Sequence, residues 1–422
     1  MNRRSFLGAT AGTLAGVACS SPRTTARREP PSDVASITAV CLAPDGAVVL
    51  ADWRRGLLHR VDRAAGGAVA EQCWNVRNLS DRLARATARP TDEVHVSAAA
   101  FDVRSQTLLL GLTLGRGATE AALVAVHEDG GVERFDLGDR ALDSVVIESP
   151  PPDARIWRDT PARSLTVTDM KFHGGRLLVS GLANDSFRST LRQVPYPFVA
   201  SAAHATGIEI YHAVHGQMET RAPIRCFDVV ELNGAPHLLA AYTCTPLVTI
   251  PVAALEPGAA VRGKTIAELG FGNTPRAVVP FTIEHEQKRE PWVAIANSSK
   301  SADLLRLADV ATAARGEGLS ERVAPPFDSL AGLRALPLPL TGSLRLVDQG
   351  GAFLLSVRRD ADSGQLQAVS VRKGAFFRLS DFVNEYDLPS YDYPTDDVVQ
   401  QQYIRPFHRM MRGDEGYPEL AR

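Results

Sequence analysis

The chain has 422 residues, 45% of them hydrophobic, with 46 basic against 48 acidic side chains and a formal charge of −2. That length and apolar content support one large core without demanding several domains. The near-neutral balance, with no basic stripe, argues against a protein built to bind nucleic acid.

The first residues read as an export address. Asn2-Arg3-Arg4-Ser5-Phe6-Leu7 precedes a Gly/Ala-rich apolar run over residues 8–18. The segment resembles a twin-arginine signal, whose pattern is Ser/Thr-Arg-Arg-x-Phe-Leu-Lys; the core is kept, while Asn2 and Gly8 replace the flanks. An ordinary secretory signal is the alternative, and it also implies export. The run is too short to span a bilayer as a mature helix. Val17-Ala18-Cys19 is similar to a bacterial lipobox, with Gly16 where Leu is usual. That resemblance makes Cys19 a lipidation site, with plain cleavage the alternative. Residues 19–34 then read as a Pro/Ser/Arg tether. The expected location is the periplasm, free or held by a lipid anchor.

From residue 48 one unit recurs. Its second strand ends in a small residue: Val48-Val49-Leu50-Ala51, Leu108-Leu109-Leu110-Gly111, Leu177-Leu178-Val179-Ser180-Gly181, Leu238-Leu239-Ala240-Ala241, Trp292-Val293-Ala294-Ile295-Ala296 and Phe353-Leu354-Leu355-Ser356. A third strand follows each, over 57–62, 122–127, 190–195, 247–250, 304–309 and 366–371. The clearest copy is 224–252, where Asn233-Gly234 separates two apolar runs, the strongest short hairpin motif. Residues 250–269 and 307–323 each read as a helical turn, a Gly break and a fourth strand. Small residues at the second-strand ends suit backbones that approach closely around an axis. The fold expected is all-β, and the repeat resembles a single β-propeller of six blades over residues 35–380, with a short helical insertion. A seventh blade within 328–340, or a stack of β-sandwich domains, is the alternative.

Three interruptions stand out. Residues 73–90 read as a polar surface insertion with a helical turn at 80–86. Residues 138–161 read as a loop between blades. Residues 195–222 are the longest break and carry Tyr211, His212, His215 and Glu219. Residues 381–422 form an extension whose first part is acidic and carries Tyr386, Tyr391, Tyr393 and Tyr403. It reads as a tail packed on the propeller, with a partner-binding segment the alternative.

Besides Cys19 there are four cysteines. Cys226 and Cys244 are nearly equidistant from the turn Asn233–Ala235, so a cross-strand disulfide is expected, against two buried thiols. Cys41 and Cys73 pair by elimination.

In a propeller, loops leaving second strands and those preceding first strands open on one face. The family topology therefore gathers Asp52, Asn184, Asp185, Asn297 and Ser298 with Asp169 and Asn273 as a binding group. Such oxygens suit a hard cation or a polar small molecule. Gluconolactonase-type propellers hold an axial metal with Glu, Asn and Asp, but no local motif of that family is present and no residue is carried over. For each Asn or Asp the alternative is a turn residue bonding its own backbone. His212, His215 and Glu219 form a second candidate, as ligands of a divalent metal, against a structural His pair. Asp52, Asp169, Asn184, His212, His215 and Asn297 are expected on one face. Neither Gly-x-Ser-x-Gly nor a Gly-rich phosphate loop occurs. The function expected is an envelope scaffold that binds a protein or a polar small molecule. A metal-assisted hydrolase or lyase, or a redox-associated enzyme using the axial funnel, is the alternative.

Overall fold

The structure, a computed structural model, describes residues 34–374 apart from 65, 138–142, 157–158, 199–202, 271–272, 286–287, 299, 324–329, 339, 341 and 361–362. The export signal, Cys19, nearly all of the tether and the extension 381–422 lie outside the described residues.

The chain opens with β1 (Val40–Leu42), β2 (Val48–Asp52) and β3 (Leu57–Val61), then β4 (Asn75–Val76) and helix α1 (Leu79–Thr87). A meander follows: β5 (Val94–Asp102), β6 (Thr107–Leu114), β7 (Glu120–Val126) and β8 (Val132–Arg134). β9 (Asp143–Val146) and the hairpin β10 (Arg155–Ile156) and β11 (Thr160–Pro161) lead to β12 (Asp169–His173), β13 (Arg176–Ala183), β14 (Arg188–Pro195), β15 (His204–His212) and β16 (Gln217–Glu219). Next come β17 (Ile224–Leu232), β18 (Ala235–Tyr242), β19 (Pro246–Pro251) and β20 (Ala260–Glu268). The last strands are β21 (Pro275–His285), β22 (Lys288–Asn297), β23 (Ala302–Arg306), β24 (Leu336–Leu338) after helix α2 (Leu307–Arg315), and β25 (Ser343–Asp348), β26 (Phe353–Arg359) and β27 (Leu366–Arg372).

These strands build four four-stranded sheets and one nine-stranded sheet, in a propeller-like arrangement. The nine-stranded sheet is two antiparallel meanders joined where β15 and β20 pair in parallel. The first strands form a closed ring: β1 packs on β5 and β12, β12 on β17, β17 on β21, β21 on β25, and β25 on β5. Two sheets are completed by strands distant in sequence. β9 returns to pair with β3, and β4 pairs with β27, so the chain's beginning closes its last sheet.

The second strands are unbroken apolar runs because both of their faces are buried. Val49 packs towards Leu177 while Leu50 packs towards Leu109. Leu178 shares a cluster with Phe227, Leu239 with Val293, Ala294 with Leu354, and Leu110 with Leu355. Neighbouring residues on one strand thus serve two different interfaces. The small residues at the strand ends have the expected cause. A Cβ on Gly181 would overlap the Thr166 carbonyl, and one on Gly111 would press on Ile37. The β17–β18 hairpin turns on Asn233 and Gly234 at φ 55° and 81°, as the Asn-Gly pair requires.

Several expectations change. Residues 73–90 are no surface insertion: Trp74, Leu79 and Leu83 are fully buried, and Trp74 N–H donates to Ser370 Oγ at 2.8 Å. The segment is a wall between two sheets. Residues 138–161 supply β9, and 195–222 supply the outer strand β15. Residues 317–323 form no strand. The fourth strand beyond α2 is β24, which falls within 328–340 and so accounts for that stretch without another sheet. The disulfide is corrected as well. A bulge between Ile224 and Cys226 shifts the register, so Cys226 faces Ala241, and Cys244 lies beyond the end of β18. Cys41, Cys73, Cys226 and Cys244 are all free thiols.

Candidate functional site: a cationic channel on the axis

The closed ring of first strands encloses a cavity of about 470 Å³, within the range of roughly 300–1,000 Å³ that small-molecule sites occupy. Three arginines on adjacent first strands line it: Arg225 of β17, Arg276 of β21 and Arg345 of β25. Local backbone geometry aims the first two. β17 and β21 each carry a bulge, between Ile224 and Cys226 and between Pro275 and Ala277, and the extra residue is the arginine. A bulge breaks the alternation of a strand and re-aims one side chain.

The arginines repel one another. Burial lowers the pKa of the Arg345 guanidinium to about 10, and the charges of Arg225 and Arg276 add to that. Arg276 is lowered for the same two reasons, burial first and Arg225 second. Arg345 Nη1 donates to the Leu344 carbonyl at 2.6 Å, and Nη2 to the Ser97 carbonyl. Arg225 and Arg276 have no hydrogen-bond or ion-pair partner among the described residues, and Nε of Arg276 is buried without an acceptor. Lys171 and Asp169 share the cavity wall. Lys171 Nζ lies 3.4 Å from Asp228 Oδ2. Burial opposes its charge, but Asp228 and Asp169 outweigh that and push its pKa up. Asp169 is raised by burial, although Lys171 and the N–H groups of Phe227 and Met170, at 3.0 and 2.8 Å, work the other way. Three guanidiniums and one ammonium therefore face two carboxylates, and the channel is cationic.

Of the residues read from the sequence as a binding group, Asp169 lines this channel. Most of the others serve their own backbone. Asp52 is fully buried and accepts from Ala35 N, Ser36 Oγ and Arg54 N at 2.8, 2.6 and 3.1 Å, with His59 Nε2 3.6 Å away. Its pKa is lowered, because the nearby His59 ring and the bonds from Ser36 and Ala35 outweigh burial. Asn184 sits at φ 54°, and its Oδ1 accepts from Ser186 N and Oγ at 3.0 and 2.6 Å in a turn; Asp185 is exposed beside it. Asn273, Asn297 and Ser298 tie β21 to β22. Asn273 Nδ2 donates to Asn297 Oδ1 at 2.6 Å, and Ser298 N donates to Asn273 Oδ1 at 3.1 Å.

His212, His215 and Glu219 do come together. Nδ1 of His212 and Nδ1 of His215 meet the two oxygens of Glu219 at 2.9 and 2.5 Å. This cluster is built at the end of β15 and in the turn to β16. The sequence contained a clue to the buried His212, since Ile208, Ile210 and His212 alternate into the core of one strand. No sequence pattern announced the arginines. Without the bulges, Arg225 and Arg276 read as ordinary strand residues.

No protein-family model matches the chain, and no curated protein matches it in sequence. Among solved structures the chain is similar to hydrazine synthase of Kuenenia stuttgartiensis, at 11% identity over 86% of this chain and 99% of that one, with a TM-score of 0.32. It is similar to the PQQ-bound aldose sugar dehydrogenase of Streptomyces coelicolor, at 11% identity over 82% and 96%, with a TM-score of 0.33. It is also similar to an endo-arabinase of Bacteroides thetaiotaomicron, at 8% identity over 76% and 99%, with a TM-score of 0.35. At these identities and scores the likenesses carry nothing about activity.

Proposed function

We propose that this protein is an exported six-bladed propeller that binds a small anion in its axial channel. The count of six treats the nine-stranded sheet as two blades joined edge to edge. What supports it is the ring of six first strands, with one hydrophobic cluster between each pair of neighbours. Export rests on the twin-arginine-like segment around Arg3 and Arg4.

The observation that carries the ligand class is the arginine trio. Guanidiniums match carboxylate and phosphate groups with paired N–H donors. Two of the three here lack an acceptor, so an anion between them would satisfy donors and relieve repulsion at once. The ligand class is therefore a carboxylate or phosphate compound small enough for about 470 Å³. Asp169 and Lys171 supply a polar wall that would orient its uncharged part. The role is that of a binding scaffold.

Calorimetric titration with inorganic phosphate, a tricarboxylate and a neutral sugar tests this. Saturable binding of an anion and none of the sugar is expected. Losing one charged hydrogen bond costs about 1.5–3 kcal/mol, or roughly 10- to 150-fold in affinity, in Arg276→Met. No anion binding, or binding unchanged in that variant, rejects the reading.

A further inference from the structure

The cluster at the end of β15 lies away from the arginine channel and contains more than the two histidines. Cys244 and Thr245, in the turn from β18 to β19, and Glu268, the last residue of β20, join it. Three elements of the nine-stranded sheet thus bring His, Cys and Glu side chains to one place. One donor atom each of His212, His215 and Cys244 lies within 4.8 Å of the others.

Proton bookkeeping singles out the free nitrogens. Glu219 accepts from Nδ1 of both rings, so both Nδ1 atoms carry hydrogen and both Nε2 atoms of the neutral rings hold lone pairs. Nε2 of His212 faces Thr245 Oγ1 at 3.2 Å. The Thr245 hydroxyl donates to Glu268, whose other oxygen accepts Ala213 N–H at 2.7 Å, so it has no hydrogen left for the ring. In a neutral His212 ring the buried Nε2 points its lone pair at that oxygen, where a metal ion would take it up. The two rings lie 3.7 Å apart, centroid to centroid. Cys244 is held at φ 81°, a left-handed backbone state that is costly for a residue with a side chain. A carboxylate that fixes imidazole tautomers from outside is the usual companion of a metal-bound histidine.

We propose that His212, His215 and Cys244 form a three-ligand site for a borderline divalent transition metal such as zinc. Glu219 is the positioning carboxylate, not a ligand. In a tetrahedral zinc site the donors lie about 2.0–2.3 Å from the ion, so the three must close in somewhat from their present spacing. His215 is 47% exposed, which leaves a fourth position open to solvent. The sequence alone put Glu219 among the ligands; the two Nδ1 contacts place it behind the histidines instead.

The test is titration of the full chain, stripped with a chelator, with Co²⁺ as an optical probe and with Zn²⁺ and Cu²⁺ as competitors. One equivalent of Co²⁺ should bind, with a thiolate-to-cobalt charge-transfer absorption that Zn²⁺ abolishes. Cys244→Ser should remove that absorption. Glu219→Gln should weaken binding by about 10- to 100-fold, as outer carboxylates do. His215→Ala alters an exposed side chain, and it should weaken binding at least as much, so it decides the matter if Cys244→Ser fails to fold. Tighter binding of Cu²⁺ than of Zn²⁺ would keep the site and reassign the ion. No saturable Co²⁺ binding, or equal binding in Cys244→Ser and His215→Ala, overturns the proposal. So does an NMR spectrum that shows His212 doubly protonated at neutral pH with Zn²⁺ present.

Discussion

Asn273 and Asn297 are locked amide to amide, Nδ2 of the first donating to Oδ1 of the second at 2.6 Å beneath the protein surface. The second amide is fully used: Nδ2 of Asn297 also donates to the Ser301 carbonyl and to Asp303 Oδ2, both at 2.9 Å. Two residues that read as funnel ligands therefore fasten the start of β21 to the end of β22. Asn297→Ala strands these partners, and chemical denaturation should show a loss of about 2–4 kcal/mol. Asn297→Asp keeps the shape but sets an oxygen against Asp303, so it should also destabilise. A neutral result for both would mean the network is not structural.

Gly181→Ala should be costly because the Thr166 carbonyl occupies the place of the new methyl. Overpacking of this kind costs about 1–3 kcal/mol. Gly67, with nothing near its absent Cβ, is the control, and Gly67→Ala should stay within about 0.5 kcal/mol. Equal midpoints for the two variants would show that the strand can move aside.

Asp52 predicts a pH dependence. Its folded-state pKa is depressed, since the bonds to the carboxylate outweigh its burial. The sign follows from linkage. The contribution is fully present above the unfolded value near 3.9 and is lost as pH falls through the lower folded value. Asp52→Asn should be clearly less stable than the parent at pH 7, and the gap should shrink towards pH 3. Parallel stability curves over that range would contradict the assignment.

Arg276→Met should raise the thermal midpoint while weakening anion binding. The side chain is half-buried, repelled by Arg225, and its Nε has no acceptor. A site that costs stability for the sake of binding commonly behaves this way. At one ligand concentration, phosphate or a tricarboxylate should stabilise the parent by mass action more than the variant. A lower midpoint for Arg276→Met would mean that the guanidinium supports the fold.

Trp74→Ala tests the closure of the last sheet by the start of the chain. Trp74 is fully buried, stacks edge-on to Phe101 at 5.9 Å, and bonds its backbone to Ser370. The change should cost about 3–5 kcal/mol. Normal stability would show that β4 contributes little to the ring.

What the sequence determined by itself is the repeating hairpin. Second and third strands were legible because both faces are buried and the turns are local: Leu109 and Leu110 must both be apolar, and Asn233-Gly234 carries its own turn. Of the outer strands β20 was legible, after its helical turn and Gly break, and the short ones were not. β4, β9 and β24 are short, and each pairs with a strand that nothing in its own residues names. The polar residues show the same division. An Asn or Asp after a strand reads alike whether it waits for a ligand or bonds its own turn, as Asn184 does. Nothing in the sequence marks Arg225 and Arg276: a bulge in each strand turns them to the axis, and only the closing of the ring sets them beside Arg345. His212 and Cys244 come together through the parallel pairing of β15 with β20, a contact between residues more than fifty positions apart. Those sites exist through pairings distant in the chain, and such pairings leave no local pattern behind.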